Sequence, residues 1–359
     1  MARLSQTPRP AGSVEDARAL EYMREVVEAT GRFVVEESSF EFQRYLADHW
    51  SLEVDGDEVE CAFALCSANT PRGGVEGELC RSDERDLEGK VALLPIREVH
   101  ESAAVERLAR RGAVAAVAYK EDGPTLVGRV TYPRSSIPCV TVSGRVGASL
   151  WHGRRSKPPK AEIRLRARIE NASGTNLHAV PRNGAPRTLF TAHRDSRPLS
   201  PGAIDNASGS AFLLFLAGQG AQGFGLLSTD AEEYGLRGAW AFIETRGSLQ
   251  KKTDVVNLDS IGSGPLRLIE RSRGGPLSRT LNSKLDSAAR EIGTRLPRLT
   301  TPRGSDCDVF REAGHRACWV RSWPTPTATT LEDTVAHVRE GVLCQCSRLL
   351  RVFVEASSC

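Results

Sequence analysis

His193, Asp205, Glu232, Glu233 and Asp259 are of types, and stand in a pattern, that could hold and use a metal ion. His193 closes the apolar run RTLFTAH, the two glutamates follow GLLSTDA, and Asp259 follows VVNL. Asp205 lies in the glycine-bearing turn SPGAIDNASG, just ahead of another apolar run. A strand that runs straight into an acid or a histidine leaves that group at the edge of the sheet, where no core satisfies it. Carboxylate oxygens and an imidazole nitrogen suit zinc with one position open to water. A carboxylate bridging two ions would serve a two-metal site that stabilises attacking and leaving oxygens together. Taken singly, each residue has a structural use as well: Asp205 can shape a turn or cap a helix, and an acidic pair can sit at a helix start. Their joint occurrence, strand then acid at successive sites, is what points to chemistry.

The elements that must position them can be read from periodicity and punctuation. Ser13 to Gly31 predicts a helix, with Ser13 and Asp16 approximating a capping box and Leu20, Met23 and Val27 on one face. The run RFVVEESSFEF predicts a strand. From about residue 56 the chain turns to short strands and turns, with GKVALLPI, a helix from Glu101 ending at Gly112, AVAAVAYK and IPCVTVS forming an α/β unit around a crossover. The basic, proline-bearing GRRSKPPKAE at 153–162 reads as the exit from that unit. Beyond it, AEIRLRARIE and RTLFTAH predict strands, followed by helices at Ala207–Gly218, Leu236–Gly247, Pro276–Ile292 and Glu332–Glu355 and strands at Gly225–Ser228, Asp254–Leu258 and Ala317–Val320. This predicts an α/β fold: a mixed, mostly parallel twisted sheet with helices on both faces, plus a smaller α/β domain. In such sheets ligands bind at the carboxyl ends of the strands.

Composition narrows the classes. The 359 residues favour two lobes over one, with 40% hydrophobic and 26% charged residues as in an ordinary globular protein. Lys+Arg 48 against Asp+Glu 45 leaves a net charge of +3 with no basic block, which argues against nucleic acid as a partner. No apolar run approaches the roughly 20 residues of a membrane span, and the N-terminal MARLSQTPRPAGSVEDARAL lacks an apolar signal core. Membrane insertion is therefore not expected, and a cytoplasmic location is. The 9 cysteines lack paired CxxC spacing, which fits buried free thiols better than disulfides.

At this point the motifs resemble the M28 zinc peptidases, the family of aminopeptidases and glutamate carboxypeptidases. TAHRDS is similar to the family's first metal-ligand strand, SPGAIDNASG to its bridging-aspartate loop, DAEEYGLRGA to its tandem-glutamate turn, NLDSIG to the next ligand strand, and GSDCDVFREAG to its Gly-Ser-Asp turn. Residues 56–164 resemble a protease-associated (PA) domain inserted into the peptidase lobe, which would then comprise 1–55 and 165–359. The resemblance implies a zinc-exopeptidase-like fold and one or two zinc ions. One ion would be held by His193, Asp205 and Asp259, and a second would be shared through Asp205 and held by Glu233. It implies Glu232 as general base on water activated at the metal, with the metal polarising the scissile carbonyl. Asp195, two residues after His193 on the same side of an extended strand, would hydrogen-bond the ligand imidazole. The implied substrate is a peptide or an amide-bearing small molecule, and a homodimer is compatible with the family.

The resemblance breaks at one place. The family closes its ligand set with a histidine in His-Thr-x-x-Asp-Thr, and this chain has TTLEDT, so Thr329 stands at the missing-ligand position while Thr330, Asp333 and Thr334 match. A neutral hydroxyl binds zinc poorly beside imidazole. His315 and His337 are not assigned as replacements. The resemblance therefore implies an aminopeptidase-like metallohydrolase with room for a mononuclear site. The alternative is a homologue that forms amides, transfers acyl groups or only binds.

Overall fold

The computed structural model describes residues 1–96, 101–121, 123–129, 134–153, 157–182, 184–219, 223–245 and 253–358. Its framework is a pair of long antiparallel strands, Phe33–Val54 and Lys160–Pro181, paired from Phe33 opposite Pro181 to Val54 opposite Ala161 with one register shift between Ala47 and His49. At about 3.3 Å per residue each is roughly 70 Å long. The strand expected at RFVVEESSFEF and the one expected at AEIRLRARIE are thus parts of longer ribbons. Gly174 explains why the second strand does not break at its NASGTN stretch. A Cβ there would come within 2.6 Å of the Phe40 ring, so glycine admits the aromatic side chain of the opposite strand.

One end of the Lys160–Pro181 strand pairs with Phe224–Thr229 and begins the larger sheet. From there the order runs Thr188–His193, Asp254–Leu258, Arg316–Ser322 and Leu266–Ser272, the four strands from Phe224–Thr229 to Arg316–Ser322 being mutually parallel. Antiparallel strands flank this parallel centre on both sides, as a mixed, mostly parallel sheet requires. Helices Val14–Ala29, Ser208–Gly218, Arg279–Glu291 and Glu340–Ser358 contribute to one apolar cluster with Phe190, Val256 and Val320, whereas Arg237–Thr245 and Cys307–Glu312 pack with Leu189, Val255 and Trp319. Alternate strand residues therefore feed separate cores, which is the signature of a sheet covered on both faces.

The other end of the Lys160–Pro181 strand pairs with Val75–Arg81, which leads into a second unit: Val91–Ile96, Ala115–Lys120 and Cys139–Val142 in parallel, with helices Glu101–Arg110 and Gly144–His152. The crossover read around the Glu101 helix is present between Val91–Ile96 and Ala115–Lys120. The Lys160–Pro181 strand belongs to both units and runs through position 164.

Several expected helix ends shift for local reasons. The helix expected from Pro276 starts at Arg279, capped by the Ser278 hydroxyl, because Gly275–Pro276 pairs back on Arg271–Ser272. The helix expected from Glu332 begins at Glu340, since the Asp333 carboxylate accepts hydrogen bonds from distant backbone and pins a loop. The helix expected at Leu236–Gly247 spans Arg237–Thr245; residues 246 and 247 lie outside the described residues, as does part of GRRSKPPKAE. Of the eight cysteines described, six are buried, Cys61 is half-buried and Cys344 is exposed. No helix among the described residues is long and apolar enough to cross a membrane.

Candidate metal centre

Strand register brings the first groups together. Thr188 lies opposite both Phe224 and Asp254, so His193 is level with Thr229 on one side and with the residue just past Leu258, Asp259, on the other. His193 Nε2 is 3.1 Å from Asp205 Oδ1 and 3.8 Å from Asp259 Oδ1. Ligand atoms of His193, Asp205 and Asp259 all lie within 4.8 Å of one another, the one such metal-capable group among the described residues. Nδ1 of His193 faces the Asp195 carbonyl oxygen at 3.0 Å and its carboxylate at 3.4 Å. A proton held on Nδ1 by those acceptors leaves the Nε2 lone pair turned to the two aspartates. One imidazole nitrogen and two carboxylates form a donor set that fits a divalent ion of zinc type with a position left open.

Asp205 is delivered by a bent turn. Gly202 takes the left-handed conformation (φ 61°), and Ala203–Ala207 form one irregular turn before the Ser208–Gly218 helix. Asp333 sets that turn, its Oδ1 accepting from Ile204 N at 2.7 Å and its Oδ2 from Asp205 N at 3.1 Å. Burial pushes the Asp333 carboxyl up to about 7, Asp205 adding to the rise against the backbone donors. Asn206 ties the turn to the Asp259 loop, donating to Leu258 O at 2.9 Å and accepting from Ser260 N at 3.3 Å. Gly209 is required here, since a Cβ would lie 2.2 Å from Leu258 O.

Asp259 is oriented by hydroxyls. Ser305 Oγ donates to its Oδ2 at 2.5 Å and Ser260 Oγ to its Oδ1 at 2.8 Å, while Asn257 Nδ2 donates to Ser305 Oγ at 2.7 Å. Burial raises the Asp259 carboxyl, but His193, Arg321 and Ser305 outweigh it and hold the group well below the usual carboxylate range. The neighbouring Asp306 accepts from Thr229 Oγ1 at 2.5 Å, and burial pushes it up to about 7.

The tandem glutamates sit on the loop after Phe224–Thr229, and Asp195 fixes that loop by accepting from Glu232 N at 3.1 Å and Glu233 N at 3.2 Å. Asp195 thus joins the imidazole to the glutamate turn. The two glutamates then diverge. Glu233 Oε2 accepts from Arg197 Nε at 2.9 Å, whereas the Glu232 carboxylate makes no hydrogen bond among the described residues. Burial raises Glu232 well above the ordinary carboxylate range, with Glu233 and Asp259 adding to the rise and His193 and Arg129 opposing it. Thr329 is buried on the Asp333 loop, its N–H donating to Asp333 Oδ2 at 3.3 Å. His315 lies against the Phe310 ring and His337 near Thr334.

The sequence reading missed the arginines. Arg197 on Glu233, and Arg129 donating to the Glu233 carbonyl at 2.8 Å, carry no local pattern that marks them. It also missed the brace beneath the site. Arg194, fully buried, binds Asp16 through Nε at 2.7 Å and Nη2 at 3.0 Å and lies 3.1 Å from Asp230. Arg9 donates to the carbonyls of Arg194, Pro201 and Gly202 at 2.7, 2.6 and 2.9 Å. Asp16 is therefore only half of a capping box: its N–H bonds the Ser13 hydroxyl, and its carboxylate goes to Arg194.

Parallel strands ending in one imidazole and several carboxylates, three of the residues close enough to share an ion, define a candidate metal centre. Residues 176–354 match the profile of Peptidase family M28, and the chain belongs to that family. It is 27% identical over 333 residues to Aminopeptidase YwaD of Bacillus subtilis (strain 168), spanning 85% of this chain and 72% of that one. It is also 25% identical over 270 residues to the probable lipoprotein aminopeptidase LpqL of Mycobacterium tuberculosis, spanning 68% of this chain and about half (53%) of the relative. The structure of a zinc aminopeptidase from Bacillus subtilis superposes with a TM-score of 0.77 at 23% identity, covering 99% of this chain and 93% of the other. At that identity the likeness speaks to fold, and it extends over both units.

Proposed function

We propose that the chain is a zinc-dependent, aminopeptidase-like hydrolase of peptide or amide bonds. His193, Asp205 and Asp259 hold the zinc ion and Glu232 is the general base. The observation that carries this is the contrast beside the donor set: Glu233 is tied to Arg197, while the buried Glu232 carboxylate makes no hydrogen bond among the described residues and is raised in pKa. A bound zinc ion supplies Lewis-acid polarisation of the carbonyl and lowers the pKa of water toward 7. Glu232 accepts the proton of the attacking water and returns it to the leaving amine. Asp195 keeps the imidazole and the Glu232 backbone in fixed relation, through contacts at 3.0 and 3.1 Å. The aminopeptidase names of the relatives support an unblocked amino terminus as the substrate's distinguishing group. The unit between the two long strands is, on this reading, the PA-like insertion over 56–164.

The test is hydrolysis of a panel of aminoacyl p-nitroanilides by the wild type and by Glu232→Gln, with zinc binding measured on both. Wild-type turnover should fall by about 10² to 10⁴-fold in the variant while zinc affinity stays the same. A variant within tenfold of wild type would show that Glu232 is not the base. Equal rates on N-acetylated substrates would remove the aminopeptidase assignment.

A further inference from the structure

The resemblance implies a second ion, shared through Asp205, held by Glu233 and completed by a ligand at position 329. The residues present do not fit it. Position 329 is a threonine, and Glu233 stands outside the one group of close-set metal-capable atoms among the described residues. Its carboxylate is instead engaged by Arg197 at 2.9 Å, with the two side chains only 11% and 4% exposed.

The arginine is held in place by the same segment that holds the threonine. Arg197 Nη1 donates to Val127 O at 2.6 Å, and Val127 N donates to Thr329 O at 2.9 Å. Leu126 forms an antiparallel bridge with Thr330, and Leu331 N donates to Thr125 O at 3.1 Å. Two residues further on, Arg129 grips the Glu233 carbonyl at 2.8 Å. Residues 125–129, from the smaller unit, thus join Arg197, Thr329 and Glu233 into one connected arrangement.

The chemistry of the two departures is complementary. Threonine at 329 removes the nitrogen donor that a second zinc would need. A guanidinium stays charged at any working pH and offers a planar set of donors to a carboxylate, so it neutralises Glu233 permanently and repels a dication brought to the same oxygens.

We infer that Arg197 is a built-in cation standing where the second metal of the family would sit, so that Glu233 is its salt-bridge partner instead of a ligand and the centre takes one divalent ion. The inference rests on the proposed metal site only for that one ion. Arg197 supplies charge but no empty orbital, and Lewis-acid work remains with the single site.

The test reads binding, not turnover. The full-length chain, freed of metal by dialysis against a chelator, is titrated with zinc by calorimetry, and bound zinc per chain is confirmed by elemental analysis after removal of free ion. Thr329→His and the double variant Arg197→Ala/Thr329→His are treated in the same way. One ion is expected in the wild type, one in Thr329→His where Arg197 still occupies Glu233, and two in the double variant. Two ions in the wild type would overturn the inference while leaving the hydrolase reading intact. So would one ion in a double variant whose near-ultraviolet circular dichroism and melting match the wild type. No ion in the wild type would overturn both together. The wild-type count decides the matter even if the double variant fails to fold.

Discussion

Arg197 and Glu232 show how far single residues can be read. The ligand-type residues were legible because His193, the two glutamates and Asp259 each follow an apolar strand and Asp205 stands in a glycine-bearing turn before an apolar run, and no single structural reason covers all of them at once. Thr329 was legible as a departure because its neighbours match a motif. Arg197 was not, since the partner that gives it meaning is 36 residues away and arginine is common in this chain. The thiols offer a test of the residue environments. Burial, with Glu58 and Glu60 beside it, pushes Cys61 up to about 12. The thiolate is the reactive form, so at pH 8 only roughly 1 in 10⁴ of Cys61 side chains is reactive, and the fraction rises tenfold per pH unit until it approaches 12. Peptide mapping after brief alkylation at pH 8 should find the exposed Cys344 modified and Cys61 intact, with Cys61 labelling climbing steeply from pH 8 to 10. Equal labelling of both at pH 8 would contradict the environment described for Cys61.

At the scale of elements, the sheet strands around the site were recovered nearly to the residue. Asp254–Leu258 was read with its observed limits, and Thr188–His193 within a residue or two, because buried parallel strands are short apolar runs with clear ends. The long ribbon was only partly legible. Its two strands lie on the boundary between units, where burial does not follow a steady alternation, so stretches such as QRYLADHW lose the period-two signal. What no local pattern announces is the anchoring of the first helix to the site: Asp16 on Val14–Ala29 pairs with Arg194, the residue after His193. Both side chains are fully or almost fully buried, and removing one partner strands the other charge in a medium of low polarity. Asp16→Ala should therefore lower the free energy of unfolding by about 3 kcal/mol, measured by urea denaturation. A loss under about 1 kcal/mol would mean that Asp230 alone satisfies Arg194 and that the helix is not anchored this way.

Over the whole molecule, the two units are not merely tethered. They share the Lys160–Pro181 strand, and residues of the glutamate loop, Ala231 and Tyr234, are packed into the core of the smaller unit. That loop carries Glu232 and Glu233, and the segment around Val127 closes on it from the smaller unit. Chain length and the change in character near residue 56 pointed to two lobes, but nothing local pointed to the closing of the Val127 segment on the glutamate loop, because its contacts pair residues from 70 to about 200 positions apart. The architecture thus sets the proposed metal site on the carboxyl edge of the larger sheet and walls one side of it with the smaller unit.

The central claim is that this edge hydrolyses peptide or amide bonds through one zinc ion. Its most direct test is to add zinc stepwise to the metal-free chain while following release of p-nitroaniline from an aminoacyl substrate. Activity should be absent at the start, rise in proportion to added zinc, and level off at one equivalent per chain. No hydrolysis at any zinc load, or a rate that keeps rising in proportion to a second equivalent, would contradict it.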